Sequence, residues 1–154
     1  MSRFAIANFF DDIRLELGGK ISLMGIYQSD LLVPNNPTVI PKLCCKITVT
    51  TSLDQPFRAA SFRVRSDETV LVEQVLPSDV LEGLAKQVRD NEDPEDPFQR
   101  ISLIGHLIIT PLLVDKSFTI KAEAVVDGEV LPAGRLKIGF AAPWFPGMHG
   151  QQSH

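Results

Sequence analysis

The residues best suited to acid, base or cation chemistry are two neighbouring aspartates, a nearby arginine and one histidine. Asp11 and Asp12 precede Arg14, whereas His106 lies far along the chain in an apolar stretch. Neighbouring residues of a strand point to opposite faces, so the two aspartates converge only where the chain turns. We therefore expect them to bind turn amides and to pair with Arg14. The alternative hypothesis is a catalytic or cation-binding site formed by the two aspartates with His106.

The only two cysteines, Cys44 and Cys45, are adjacent in the sequence. Their Cα atoms lie about 3.8 Å apart, which is too close for an unstrained disulfide, so we expect two reduced thiols in a reducing compartment. Alternation places Cys44 outward between Lys42 and Lys46, whose charges would lower the pKa of a nucleophilic thiol. The sequence contains no G-x-S-x-G, no H-E-x-x-H and no phosphate loop. It therefore predicts a protein that is not an enzyme, with no cofactor and no metal site.

A further set of aspartates falls in predicted turns or at strand ends. They are Asp30, Asp54, Asp67, Asp115 and Asp127. Calcium binding needs six to eight oxygen ligands, and a sandwich that gathered these carboxylates at one end would supply them. Aspartate also favours turns through its own hydrogen bonds, and no clustered D-x-D pattern occurs. We therefore expect turn roles, with a calcium-dependent sandwich as another alternative.

The C-terminal segment carries the most conspicuous candidate for partner binding. Trp144 is the only tryptophan, Phe145 follows it, two prolines flank the pair, and Met148 lies close by. Prolines keep a segment extended, and tryptophan and methionine are common anchors at interfaces. Two interpretations stay open: the tail binds a partner, or Trp144 and Phe145 fold back over the core of their own chain.

Basic residues occupy outward positions of several predicted strands. They are Lys42, Lys46, Arg63, Arg65, Lys121, Arg135 and Lys137. If these strands share a sheet, one face is electropositive although the net charge is −4, and it could bind a polyanion or the acidic run 90–96 of a second copy. The alternative is a solvated face on which lysines at the strand edges prevent pairing with the strands of another chain. The net charge and the lack of interleaved aromatic residues argue against a dedicated nucleic-acid binder.

Alternation of apolar and polar residues dominates the chain and predicts strands that bury one face. We predict about eight strands and one short helix near 78–90, which together make a mainly β, antiparallel β-sandwich, with a barrel as the alternative. The predicted strands are 3–10, 20–33, 39–50, 57–65, 69–76, 99–113, 117–126 and 129–140. Asp127-Gly128, Gly18-Gly19 and 66–68 are predicted turns, and Asp79 with Glu82 has the spacing of a capping box. We place the sandwich domain in 1–142 and a Pro/Trp/Gly tail in 143–154.

The chain has 154 residues, enough for one domain to hold a core without disulfides or metal. Its most apolar stretch, Ile101–Val114, contains Ser102, His106 and Pro111 and is too short to span a bilayer. The opening residues lack a long apolar run. We therefore expect a cytoplasmic protein that does not enter a membrane.

Three motifs in the first third of the chain follow one another in a characteristic order. They are Asp11-Asp12-Ile13-Arg14, then Gly18-Gly19-Lys20-Ile21-Ser22-Leu23-Met24-Gly25, then the Pro-flanked segment before Leu43. This arrangement resembles a family of uncharacterised bacterial and bacteriophage-encoded proteins. The resemblance implies a small β-sandwich, and the family's cysteine is replaced here by Phe10. It brings no catalytic residues with it.

These observations favour a non-enzymatic β-sandwich that binds protein, as part of an assembly or as its own oligomer. Trp144, Phe145 and Met148 are the predicted docking residues, and the basic face or the acidic run adds selectivity. The resemblance adds a phage-related assembly, and hence a virion-associated location, as one setting. No small-molecule substrate can be identified, and the alternative is a small enzyme or ligand-binding module using Asp11, Asp12 and His106.

Overall fold

The computed structural model describes residues 3–142, which form twelve strands, one α-helix and one short 3-10 turn. The helix α1 spans Ser78–Asp90, and the 3-10 turn spans Leu17–Gly19. The strands are β1 (Phe4–Phe10), β2 (Asp12–Leu15), β3 (Ile21–Met24), β4 (Asp30–Val33), β5 (Thr38–Ile40), β6 (Leu43–Thr51), β7 (Ala60–Ser66), β8 (Thr69–Leu76), β9 (Ile101–Ile109), β10 (Leu112–Val114), β11 (Phe118–Val126) and β12 (Glu129–Phe140).

Two sheets enclose the core. One has three strands in the order β1-β6-β9, and the other has five in the order β4-β12-β11-β7-β8. All these pairings are antiparallel except that β4 runs parallel to β12. Two short ladders, β2-β3 and β5-β10, flank the sheets. β1 lies beside β12 and β8 beside β9, but within residues 3–142 no ladder joins these pairs. The predicted β-sandwich with a single helix is therefore confirmed.

Strict alternation builds the core from both sheets. In β9 every second residue from Ile101 to Ile109 is buried, and the residues between them are exposed. Phe62 of β7 is fully buried and lies directly against the backbone of Gly105 in β9. A Cβ atom on Gly105 would stand only 2.4 Å from Cδ2 of that ring. Residue 105 is therefore a position where only the absence of a side chain lets the two sheets approach.

The predicted tight turns are present. Asp127 and Gly128 connect β11 to β12 with φ values of 50° and 82°, as a primed two-residue turn requires. Gly18 and Gly19 have φ values of 78° and 76° at the tip of the β2-β3 hairpin. Asp67, with φ of 50°, lies between β7 and β8. These turns depend on local backbone preference, which is why the sequence predicts them.

Three predicted strands are each divided in two. The segments are 20–33, 39–50 and 99–113, which become β3 and β4, β5 and β6, and β9 and β10. Pro41 stands between β5 and β6, and Pro111 between β9 and β10. Proline has no N–H for the ladder, so it interrupts a run that is otherwise apolar enough to continue. At the third break, Gly25 has a φ of 70° and packs against the carboxylate of Asp11. The prediction of eight strands also omitted β2.

The helix occupies the predicted residues, and its apolar stripe faces the core. Leu81 is buried, and Leu84 and Val88 pack against the core cluster. The predicted capping box is wrong, because Pro77 is the N-cap residue and no side chain caps the helix. Within residues 3–142, no helix has both the length and the apolarity needed to cross a membrane.

Candidate functional site

The structure separates the aspartates of the N-terminal cluster. The Tyr27 hydroxyl donates a hydrogen bond to the carboxylate of Asp11, whereas Lys42 Nζ donates to Oδ1 of Asp12 over 2.6 Å. This hydrogen bond from Lys42 is the main cause that lowers the pKa of Asp12. Arg14 pairs with Glu16 at 2.8 Å, so its predicted ion pair with an aspartate is wrong. Each carboxylate has its own partner, and no shared site forms between them.

His106 lies away from this cluster. It is exposed on the outer face of β9, opposite Lys46 of β6, which is itself opposite Asn8 of β1. Two strand spacings and three residues along β1 separate His106 from Asp11, a distance of about 14 Å. Burial of the ring lowers the pKa of His106, and the charge of Lys46 lowers it further. The structure therefore does not bring His106 to Asp11 and Asp12.

Two of the loop aspartates, Asp54 and Asp127, form hydrogen bonds that hold loops. Asp127 accepts hydrogen bonds from the backbone N–H groups of Arg58 and Ala59 and pairs with Arg3 at 2.8 Å. Asp54 accepts a hydrogen bond from the hydroxyl of Ser52. In the described part of the chain, no three His, Cys, Asp or Glu residues are placed to hold a metal ion. Asp54 therefore acts within its own loop, as predicted, whereas Asp127 joins its turn to the distant segment at Arg58 and Ala59.

Cys44 has a different environment from the one predicted. It lies on the outward side of β6, but it is only 2% exposed and donates a weak hydrogen bond to the carbonyl of Asp11. Phe10, which stands opposite it in β1, is also buried. Burial raises the pKa of Cys44 against the opposing effect of Lys42, so the prediction of a lowered pKa is wrong. Both thiols are free, and burial raises the pKa of Cys45 to about 12.

Five of the seven predicted basic residues share the five-stranded sheet. They are Arg63, Arg65, Lys121, Arg135 and Lys137. Lys46 lies on the other sheet and Lys42 precedes the same strand, so a single face carrying all seven is wrong. Arg65 is opposite Lys121, and Lys121 is opposite Arg135. The register therefore makes a row of three cations across three neighbouring strands.

A buried carboxylate holds part of this basic surface in place. Glu123 is 6% exposed and accepts hydrogen bonds from Arg63 at 2.9 Å and from Arg65 at 2.8 and 3.1 Å. The hydrogen bond from Arg65 is the main cause that lowers the pKa of Glu123, and Arg63 lowers it further, although burial opposes both. Within residues 3–142, Lys121 and Arg135 take part in no ion pair.

The outer face of the three-stranded sheet carries large apolar side chains that the sequence analysis did not single out. Phe4, Ile6, Ile104 and Ile108 are 49%, 56%, 53% and 46% exposed. Thr48 stands between Ile6 and Ile104 in the register. We call these five residues the apolar face. The signal was present in the sequence, because β1 and β9 are apolar at successive positions, which is typical of strands covered on both sides.

The predicted docking residues Trp144, Phe145 and Met148 lie outside the described residues. No protein-family model matches the sequence, and no curated protein matches it.

Proposed function

We propose that this chain is a non-enzymatic protein-binding β-sandwich that works within an assembly, and that a second copy of the chain binds its apolar face. The observation that carries the proposal is the exposure of Phe4, Ile6, Ile104 and Ile108 on one sheet. An antiparallel sheet that meets only water usually carries polar residues on its outer side. Phe4, Ile6 and Ile104 form an exposed apolar patch, from which His106 separates Ile108, and a patch of this kind is typical of an interaction site.

The size of the apolar face decides how strong the contact can be. The whole outer surface of the sheet, with four outward residues on each of three strands, covers about 14 Å by 20 Å, or about 300 Å², and the apolar face is part of it. Each partner of a stable complex buries about 800 Å², so this face alone supports a transient contact. The ends of the sheet must add to the interface for a dimer to persist.

Charges on the outer face and beyond one end of it favour a second copy as the partner. Lys46 and His106 lie side by side between Ile104 and Ile108, in the half of the sheet away from Thr51. Beyond Thr51, Asp54 shares a surface depression with the acidic segment 92–96, and its lining carries four carboxylates and two arginines. When two identical faces pack with their strands antiparallel, the basic half of each copy lies towards the acidic end of the other. This complementarity sets the orientation in which two copies meet.

The test is light scattering from about 10 µM to about 1 mM, on the wild type and on Ile104→Glu. We expect the wild-type mass to rise from 17.0 kDa towards twice that value, and Ile104→Glu to stay monomeric. Val75→Glu is the matched control, because Val75 is an exposed apolar residue of the other sheet. A wild type that stays monomeric throughout, or an Ile104→Glu variant that dimerises like the control, would refute the proposal.

The tail is a second docking element in this proposal. A chain ending at Ala142 lacks Trp144, Phe145 and Met148 and is measured beside Ile104→Glu. If the truncated chain is a folded monomer and Ile104→Glu still dimerises, the tail is the docking element and the apolar face is not. If the truncated chain dimerises like the wild type, the apolar face accounts for the contact.

The resemblance of the first third of the chain to bacterial and bacteriophage-encoded proteins supports an assembly of that origin. The free thiols of Cys44 and Cys45 support a reducing compartment, and hence the cytoplasm or a virion assembled there.

A further inference from the structure

A separate site lies on the five-stranded sheet, away from the apolar face. A depression of about 370 Å³ opens between β7, β11 and β12 and is lined by Arg65, Lys121 and Arg135. Glu123 and Pro132, at the next row of the sheet, also line it, as do Ala122 and Gly134. The volume is near the lower end of the range for small-molecule sites. The geometry therefore suits a compact ligand.

The three cations are close together, and of the three only Arg65 is paired with a carboxylate in the described residues. Neighbouring strands are about 4.8 Å apart, so the row from Arg65 through Lys121 to Arg135 spans about 10 Å. Like charges directly opposite one another destabilise a sheet, and a bound anion would remove that repulsion. Glu123 neutralises part of the charge of Arg63 and Arg65. The residues that line the depression carry three cations and one carboxylate, which leaves a net positive charge there, although Asp67 and Glu68 also lie near Arg65.

On one side of the depression a side chain is fixed by hydrogen bonds, and on the other side two side chains are not fixed by ion pairs. Arg65 donates to Glu123 through Nε and Nη2, and its Nη1 donates to the carbonyl of Asp67 over 2.8 Å. That guanidinium is therefore held in one orientation. Lys121 and Arg135 are exposed and make no ion pair in the described ranges, so their donors are available to a ligand.

Two β-bulges flank the row. In β12, Gly134 is opposite Ala122 and Pro132 is opposite Glu123, so Ala133 has no opposite residue in β11. On the other side of the row, the pairing of β7 with β8 shifts next to Arg65. Bulges bend a strand and redirect its side chains, and they are frequent beside functional sites. The two bulges therefore shape the sheet around the cationic row.

We propose that this depression binds a small polyanion through phosphate groups, with Lys121 and Arg135 as the main ligands and Arg65 as a fixed wall. Arginine and lysine side chains together are the usual ligands of phosphate. Three cations within about 10 Å match two or more adjacent negative charges better than one. The residues that line the depression include no aromatic side chain, so the site fits the phosphate groups and offers no surface on which a base would stack.

The experiment is calorimetric titration of the full chain with sodium pyrophosphate at constant ionic strength. We expect saturable binding with one ligand per chain, and at least a tenfold loss of affinity in Lys121→Gln/Arg135→Gln. The control is Lys20→Gln/Lys116→Gln, which removes the same charge from two exposed residues outside the depression. Its affinity is expected to stay within twofold of the wild type.

Several outcomes would overturn this assignment. They are the absence of saturable binding by the wild type, an equal loss in both double variants, and tighter binding of citrate than of pyrophosphate. Thermal unfolding without ligand checks the fold, because removing two facing charges is expected to leave the Tm of Lys121→Gln/Arg135→Gln at or above that of the wild type. Ile104→Glu is expected to bind pyrophosphate normally, so failure of the dimer proposal leaves this test intact.

Discussion

Replacing Gly105 by alanine tests the contact between the two sheets. A Cβ at this position would lie 2.4 Å from Cδ2 and 2.9 Å from Cε2 of Phe62, whose side chain is fully buried. Ordinary carbon contacts are about 3.5–4.0 Å, so the ring or the strand must move by about 1 Å. Overpacking of a core lowers the free energy of unfolding by about 1–3 kcal/mol. Alanine has less conformational entropy than glycine in the unfolded chain, and this difference raises the free energy of unfolding by about 0.5–1 kcal/mol. We expect Gly105→Ala to lower the free energy of unfolding by about 1–2 kcal/mol.

The assay is urea unfolding of Gly105→Ala, Phe62→Leu and the double variant. If the strain comes from the Phe62 ring, Phe62→Leu relieves it, and the double variant is more stable than the sum of the two single effects predicts. A coupling of at least about 0.5 kcal/mol is expected for residues in direct contact. Gly83→Ala is the matched control, because nothing lies within 4 Å of a Cβ at that position of the helix.

The control is expected to change stability in the opposite direction. Alanine is favoured over glycine in a helix interior by about 1 kcal/mol, so Gly83→Ala should stabilise the protein. The reasoning fails if Gly105→Ala unfolds at the same urea concentration as the wild type while Gly83→Ala is stabilised. It also fails if the effects of Gly105→Ala and Phe62→Leu simply add.

Two further predictions follow from titratable groups. The folded pKa of Glu123 lies below its unfolded value because Arg65 donates to it, so its stabilising effect is present above about pH 4.5 and is lost as pH falls through the folded pKa. Glu123→Gln should therefore be less stable by about 1–3 kcal/mol at pH 7 and should lose less stability in acid, and identical pH dependence of unfolding in both proteins would contradict this. Burial raises the pKa of Cys44 and raises that of Cys45 to about 12, so both thiols should react slowly with a thiol reagent at pH 8 and rapidly after unfolding. Two thiols that react at once in the folded protein would show that these side chains are accessible.

The features that the sequence predicted correctly are those that depend on near neighbours. The turn at Asp127-Gly128 follows from two residues that tolerate positive φ, and the helix at Ser78–Asp90 follows from an apolar stripe with a period of 3.6. In β6 and β9, the alternation of apolar and polar residues predicts which side of the sheet each side chain occupies. These signals contain no information about which strand lies beside which. The breaks at Pro41 and Pro111 are a different case, because the missing N–H of proline is a local property and the strands predicted at 39–50 and 99–113 ran through both residues.

The candidate sites depended more on distant neighbours. Alternation placed Cys44 outward, but Phe10 of β1 and the backbone at Asp11 enclose it, so the thiol is buried where the sequence predicted exposure. Asp12 binds Lys42, which is thirty positions away in the sequence. The energy of such an ion pair depends on the distance between the two side chains, and the sequence alone does not give that distance.

The sequence by itself determined that this protein is a β-sandwich with one helix, because strand periodicity, turn residues and the amphipathic stripe are local properties of the chain. The tertiary structure decided the strand order and register, including the parallel pairing of β4 with β12. Register set Lys121 between Arg65 and Arg135, and it left Ile6 and Ile104 together on an uncovered face. A shift of one residue would turn each of these side chains to the other side of its sheet, so the surfaces proposed for binding depend on contacts between distant segments.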